Sequence, residues 1–269
     1  MTDQGPAETD ARLLRRGSQI PLVGFGTWQI TGAAAHAAVA AALELGYRHL
    51  DTATVYGNER EVGDALADSG LARTEVFVTT KLPGNATEVR RTLERSLADL
   101  GVDFVDLWLI HWPPAQSYRP SEGSSPRLFA EMLALRDEGL ARAVGVSNYG
   151  TEEIDELIAT TGEAPEVNQI PWSPFRHDEA IRRDLDEREV CLEGYSPLAL
   201  SSLQHPVLVA AATAHEVTPA QVVLRWHLQH GVVVLPKSAR RERIAENRDL
   251  FGFTLTPTQM AGLDALAAD

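Results

Sequence analysis

The sequence predicts an α/β fold, a (β/α)8 TIM barrel, on three observations. Short apolar runs alternate with longer amphipathic segments from one end of the chain to the other. Eight such runs fit within 269 residues. No Pro/Gly/Ser-rich linker separates two halves, which favours one closed barrel over a doubly wound sheet.

The strand runs, in order, are "PLVGFGTW" (21–28), "YRHLDTA" (47–53), "EVFVTTKL" (75–82), "VDLWLIHW" (105–112), "ARAVGVSN" (141–148), "PEVNQIPW" (165–172), "VCLEGYSPL" (190–198) and "GVVVLPKS" (231–238). Most are near-continuously apolar, the pattern of parallel strands covered on both faces. Helical patterns lie between them, such as 33–46 and 86–101. In the second, Val89, Leu93, Leu97 and Leu100 fall on one helical face. Gly46 and Gly101 stand where helices end. Ahead of the barrel, "RLLRRGSQIPL" (12–22) predicts a β-hairpin closing its bottom. That leaves residues 1–11 as a flexible N-terminus and 12–269 as a single domain. The polar, proline-rich stretch 113–127 predicts a long irregular loop at the barrel mouth.

Composition narrows the function. Hydrophobic residues make up 44% and charged residues 23%, ordinary for a globular protein. A formal net charge of −14 disfavours general binding to nucleic acid or to an anionic membrane. A phosphorylated ligand would therefore need a local basic cluster. Cys191 is the only cysteine, so no intrachain disulfide forms, and it reads as an inert core thiol. There is no apolar leader and no run long enough to span a bilayer, so the expected location is the cytoplasm. His36, His177, His205, His215 and His227 show no metal-ligand spacing, and no metal is expected. "GFGTWQ" (24–29) begins like a dinucleotide fingerprint, but Gln29 stands at the third glycine position, and the Rossmann reading fails.

In such a barrel the chemistry comes from the C-terminal ends of the strands. The polar residues there are Asp51, Lys81, His111, Ser147, Asn148, Asn168, Gln169, Tyr195, Ser196, Lys237 and Ser238, with Tyr56 on the loop after Asp51. Each alone reads as a cap, a rim lysine or a core histidine. Together they allow acid–base chemistry. A phenol with pKa about 10 is a weak acid, and a nearby ammonium lowers that value. Lys81, kept charged by Asp51, is the expected source, and His111 is placed to polarise the same substrate oxygen. The set has no nucleophile, so the second reactant is expected to be a cofactor.

"DTATVYGNEREVGDAL" (51–66) resembles the aldo-keto reductase signature. "LIHWP" (109–113), "GVSN" (145–148), "NQIPW" (168–172), "GYSPL" (194–198) and "LPKSARRERIAEN" (235–247) match further segments of that family in order. The resemblance implies a catalytic tetrad of Asp51, Tyr56, Lys81 and His111. It implies reduced NADP across the mouth, with the nicotinamide stacked on Tyr195 and its carboxamide held by Ser147, Asn148 and Gln169. Ser196 and Leu198 would line the pyrophosphate channel, with Gly26 and Thr27 nearby. Lys237, Ser238 and Arg243 would grip the 2′-phosphate, and Glu246 and Asn247 the adenine.

Arg240, Arg241 and Arg243 supply the basic cluster that the net charge called for, so NADPH is favoured over NADH. Trp28 and Trp112 match aromatic substrate-pocket positions. Pro83 stands where many members have a pocket tryptophan, and the chain stops at "GLDALAAD" without the longer tail of many relatives, which points to an open site. Pattern and length resemble bacterial members such as 2,5-diketogluconate reductases. The resemblance implies a monomeric NADPH-dependent reductase of small aldehydes and ketones. An alternative is an NADPH-binding sensor with little turnover. A Schiff-base aldolase using Lys81 is disfavoured, because Asp51 keeps that lysine protonated.

Overall fold

In the computed structural model, residues 11–117 and 124–268 are described. The hairpin comes first, β1 (Ala11–Leu13) antiparallel to β2 (Gln19–Pro21), with Arg12 opposite Ile20. Eight parallel strands follow in sequence order: β3 (Phe25–Gly26), β4 (His49–Asp51), β5 (Phe77–Leu82), β6 (Val105–Ile110), β7 (Ala141–Ser147), β8 (Val167–Pro171), β9 (Cys191–Tyr195) and β10 (Val233–Leu235). The edges meet through Gly24 N–H to the Val234 carbonyl (2.9 Å) and Val234 N–H to the Leu22 carbonyl (2.9 Å). That contact rolls the sheet into a barrel.

Helices alternate with the strands: α1 (Ala33–Glu44), α2 (Glu59–Asp68), α3 (Val89–Leu100), α4 (Ser125–Asp137), α5 (Thr151–Thr161), α6 (Glu179–Glu187), α7 (Pro206–His215), α8 (Pro219–Gln229), α9 (Arg241–Arg248) and α10 (Pro257–Asp264). Every residue of β5 and β6 is buried, as expected for strands with helices outside and a filled barrel inside. Val89, Leu93, Leu97 and Leu100 are all buried, so the helical face read from their spacing is the packed one. Gly101 ends α3 at φ 64, a left-handed conformation that lets Val102 N–H reach the Leu97 carbonyl (3.1 Å).

The hairpin does lie at the bottom. Arg12 donates to the Gly231 carbonyl and Arg15 to that of Ala164, both just ahead of strands, and Arg16 N–H reaches Glu166. Ala11, placed in the expected N-terminal segment, pairs with Pro21 in the hairpin; residues 1–10 lie outside the described ones. The first strand is shorter than the run 21–28, because Pro21 belongs to the hairpin and only Phe25 and Gly26 pair with β4. The irregular stretch is shorter too. Residues 114–116 form one 3-10 turn, and α4 begins at Ser125, where Ser124 caps the Arg127 N–H and Pro126 occupies the first turn. Residues 118–123 of that loop lie outside the described ones. Cys191 is buried, and burial pushes its thiol up to about 12, which leaves it inert.

Gly63 of the signature run has a packing reason. A Cβ there would lie 2.7 Å from Leu100 Cα and closer still to its carbonyl, so α2 and α3 touch backbone to backbone. Gly63→Ala should cost about 1–3 kcal/mol through overpacking. In thermal unfolding that is a drop of about 2–4 °C per kcal/mol.

Candidate active site

Strand pleat and register converge the polar side chains on the barrel mouth. Asp51 ends β4 and sits opposite Thr79, two residues before Lys81 on β5, so Asp51 and Lys81 face inward from adjacent strands. Lys81 is fully buried. Its Nζ donates to Asp51 Oδ1 (2.7 Å) and Oδ2 (2.8 Å), and to the Thr52 carbonyl (3.0 Å). Burial pulls its pKa down. The Asp51 carboxylate, with the other acidic groups facing it, more than offsets burial and holds the ammonium above the ordinary lysine value.

Tyr56 ends a 3-10 turn, Thr54–Tyr56, and the motif around it pins that turn in place. Thr54 Oγ1 donates to the Lys81 carbonyl (2.9 Å). Asn58 is fully buried; it donates to the carbonyls of Thr27 (3.0 Å) and Ile30 (2.8 Å) and accepts from Thr52 Oγ1 (2.7 Å). The buried Glu59 accepts from Thr80 Oγ1 (2.6 Å) and Ser96 Oγ (3.2 Å). So held, the Tyr56 hydroxyl lies 3.4 Å from Lys81 Nζ. His111, one residue past β6, sets its ring edge-on to Tyr56, centroids 5.6 Å apart at 75°.

The electrostatics differ from the sequence expectation at Tyr56. Burial is the largest influence and raises its pKa. The Lys81 ammonium lowers it without overcoming burial, and the Asp51 charge offsets part of that pull. The phenol therefore holds its proton more tightly than free tyrosine. His111 is pushed down to about 3, first by burial and then by Lys81, so its imidazole is neutral near pH 7.

A second set rings the tetrad. Ser147 Oγ donates to the Gln169 carbonyl (2.8 Å), and Asn148 Nδ2 donates to the His111 carbonyl (3.0 Å) and to Ser147 Oγ (3.0 Å). Tyr195 donates its hydroxyl to Asn148 Oδ1 (2.8 Å) and stays half-buried. Asn148 (φ 66) and Ser196 (φ 55) both adopt left-handed backbone, strain of the kind that gathers at functional sites. Gln169 donates both N–H groups inward, to Asp51 Oδ2 (2.8 Å) and Glu193 Oε2 (2.8 Å). Its Oε1 carries no hydrogen bond among the described residues. Leu198 is half-buried against the core. Thr27 is fully buried, and its hydroxyl donates to the Asp51 carbonyl (2.9 Å). Gly26 donates to the Pro236 carbonyl (3.0 Å) and brings β3 beside the Lys237 segment.

Lys237, Arg240 and Arg243 are exposed and have no ion-pair partner among the described residues, in a chain carrying −14. Arg241 does not join them, because it pairs with Glu44 of α1 (2.6 Å). Ser238 Oγ accepts from Arg240 N–H (3.0 Å), folding this segment into a turn. Glu246 accepts from Thr218 Oγ1 (2.7 Å), and Asn247 is buried behind it. Three unpaired cations beside a turn suit an anion such as phosphate. Trp28 (52% exposed) and Val55 (57% exposed) follow neighbouring strand ends and, with the half-buried Trp112, give the mouth an apolar rim. Among the described residues no three His, Cys, Asp or Glu side chains are grouped to hold a metal ion.

The Aldo/keto reductase family model matches residues 22–268. The chain belongs to the aldo-keto reductase family. It is thereby an NAD(P)-dependent oxidoreductase, and curated relatives are named aldo-keto reductases. An aldo-keto reductase of Mycolicibacterium vanbaalenii is 42% identical over 94% of this chain and 91% of that protein. The crystal structure of an aldo/keto reductase from Brucella melitensis superposes with a TM-score of 0.88 at 38% identity, covering 97% of this chain and 99% of that one. An aldo-keto reductase of Bombyx mori, solved in complex with NADP, gives a TM-score of 0.89 at 32% identity over 98% of this chain and 93% of that one. Two residues escaped the sequence reading of this reductase site, Glu193 and His49. Both are titratable side chains inside apolar strand runs, and that was the one signal available.

Proposed function

We propose that this aldo-keto reductase is an NADPH-dependent carbonyl reductase acting on small aldehydes and ketones, with Tyr56 as the proton donor. The observation that carries the reading is the Tyr56 hydroxyl 3.4 Å from a fully buried, carboxylate-paired Lys81, at the open end of the barrel. Reduced nicotinamide supplies a hydride when bound. Tyr56 gives its proton to the carbonyl oxygen as negative charge gathers there. Its raised pKa is no obstacle, since an alkoxide is about as basic as hydroxide and far more basic than a phenolate. Lys81 then offsets the charge left on the phenolate, and neutral His111 donates an N–H to the same oxygen. An ionised histidine would compete with Tyr56 as acid; burial prevents that.

The residues fit the cofactor. Gln169 leaves its amide oxygen free to accept from a carboxamide, Tyr195 offers a half-exposed ring, and Lys237, Arg240 and Arg243 are free cations for the 2′-phosphate. The neighbour holding NADP supports the same choice. In this reading the single domain works as a cytoplasmic monomer, with Trp28 and Trp112 lining the substrate pocket. A panel of aldehydes, ketones, diketones and sugar-derived carbonyls, followed by NADPH absorbance, tests it. Turnover of at least one class supports it, and tight NADPH binding with no turnover favours a sensor.

Arg243→Ala should weaken NADPH binding by about 10- to 100-fold, the loss of a charge-assisted contact of about 1.5–3 kcal/mol. NADH binding should change by less than about threefold, because it lacks the phosphate. Equal losses for both, in fluorescence titrations, would contradict the phosphate grip.

A further inference from the structure

Beneath the tetrad a buried polar chain continues into the barrel. Asp51 Oδ2 accepts from Gln169 Nε2 (2.8 Å), and the same nitrogen donates to Glu193 Oε2 (2.8 Å). Glu193 Oε1 faces His49 Nε2 at 3.6 Å, and that nitrogen lies 3.1 Å from Thr79 Oγ1. None of these residues is more than 4% exposed. Register explains the assembly: Gln169 sits beside Ser147 on one flank and Glu193 on the other, and reaches across the barrel to Asp51. One –NH2 group thus bridges two carboxyls.

We propose that Glu193 is a positioning residue of this site: it anchors the Gln169 amide, which holds the Asp51 carboxylate in the orientation that grips Lys81. The proposal rests on the carbonyl-reductase reading above. Glu193 touches no substrate and acts through Gln169.

The Glu193 Oε2 contact anchors the amide, and burial favours the neutral acid there. Among the described residues no cation lies within hydrogen-bond reach of it, and Lys81 is committed to Asp51. Burial, reinforced by the Asp51 charge, pushes Glu193 up to about 8. The groups facing it are Asp51 and His49 from β4, Thr79 and Lys81 from β5, Gln169 from β8, Cys191 on its own strand, and Tyr56 from the mouth. His49 is pushed down to about 3, chiefly by burial, and supplies no charge near pH 7. Asp51 is then the single anion in the chain of contacts. Above about pH 8 Glu193 ionises, and its charge raises the proton affinity of Tyr56 further, which slows proton donation.

Two substitutions test this. Glu193→Gln keeps an acceptor for Gln169 and replaces the acid O–H with N–H, but cannot ionise. Its kcat at neutral pH should stay within about threefold of wild type, and the decline above about pH 8 should shift or vanish. Glu193→Ala should lower kcat by about 10- to 100-fold, the range usual for supporting residues.

Thermal unfolding reads the same group without turnover. A carboxyl at about 8 in the fold and 4.5 in the open chain takes up a proton on folding. Its stabilisation is full below about pH 4.5, declines as pH rises, and is gone past about pH 8. The Tm of wild type should therefore fall relative to that of E193Q across this window. E193Q as impaired as E193A, or a pH profile and Tm trend identical to wild type, would overturn the proposal. A wild type inactive on every carbonyl would instead overturn the reductase reading; an active wild type with unmoved profiles removes only the role of Glu193.

Discussion

Tyr56→Phe should lower kcat by about 10²- to 10⁴-fold, the contribution usual for a positioned general acid, while NADPH affinity stays within about threefold. The hydroxyl oxygen is the only heavy atom lost. The ring remains edge-on to His111, and the Lys81 ammonium stays 5.1 Å from its centroid, so packing around the turn is preserved. Asn58, Glu59 and Thr54 hold the loop through bonds that do not involve the phenol. The variant should fold as wild type. Steady-state kinetics with an aldehyde, beside a fluorescence titration with NADPH, checks both halves. Unchanged kcat would remove Tyr56 from the chemistry, and a parallel loss of NADPH affinity would make it a binding residue instead.

Lys81→Met is the second large effect, and it reaches stability as well as rate. It leaves the Asp51 carboxylate buried with no countercharge, which should cost about 3–5 kcal/mol. Turnover should be lost too, since nothing then offsets charge on Tyr56. The double variant Lys81→Met with Asp51→Leu separates the two. Removing both charges should recover most of the stability and none of the activity. Denaturant unfolding and kinetics on the single and double variants provide the check. A Lys81→Met protein as stable as wild type would mean that Asp51 is not held as a buried anion.

Much of this site is legible in the sequence because barrel chemistry sits at strand ends, and apolar runs mark where strands end. Asp51, Lys81 and His111 are the polar residues closing three such runs, and Tyr56 follows the first; the structure gathers all four at one mouth. Contacts across the barrel are not legible in the same way. Gln169 meets Asp51 from 118 residues away because β8 and β4 face each other over the interior, a consequence of closure and not of spacing. Depth is invisible as well. The sequence supplies an ammonium to lower the Tyr56 pKa, but only the structure shows that burial outweighs it. Arg241 reads as part of the basic cluster until α1 brings Glu44 to it from 197 residues away. Glu193 sits in a strand whose neighbours are apolar, and its meaning depends on which side chains lie beside it inside the barrel.

In the proposed reaction a hydride moves from the nicotinamide to a carbonyl carbon while Tyr56 protonates the oxygen. The most direct measurement is transfer of deuterium from NADPH labelled at nicotinamide C4, with the alcohol product analysed by mass spectrometry and NMR. The expected result is one deuteron per turnover on the former carbonyl carbon with wild type, and a comparably labelled product formed far more slowly by Tyr56→Phe. Deuterium appearing in solvent, or NADPH bound with no labelled alcohol from any carbonyl tested, would contradict the account.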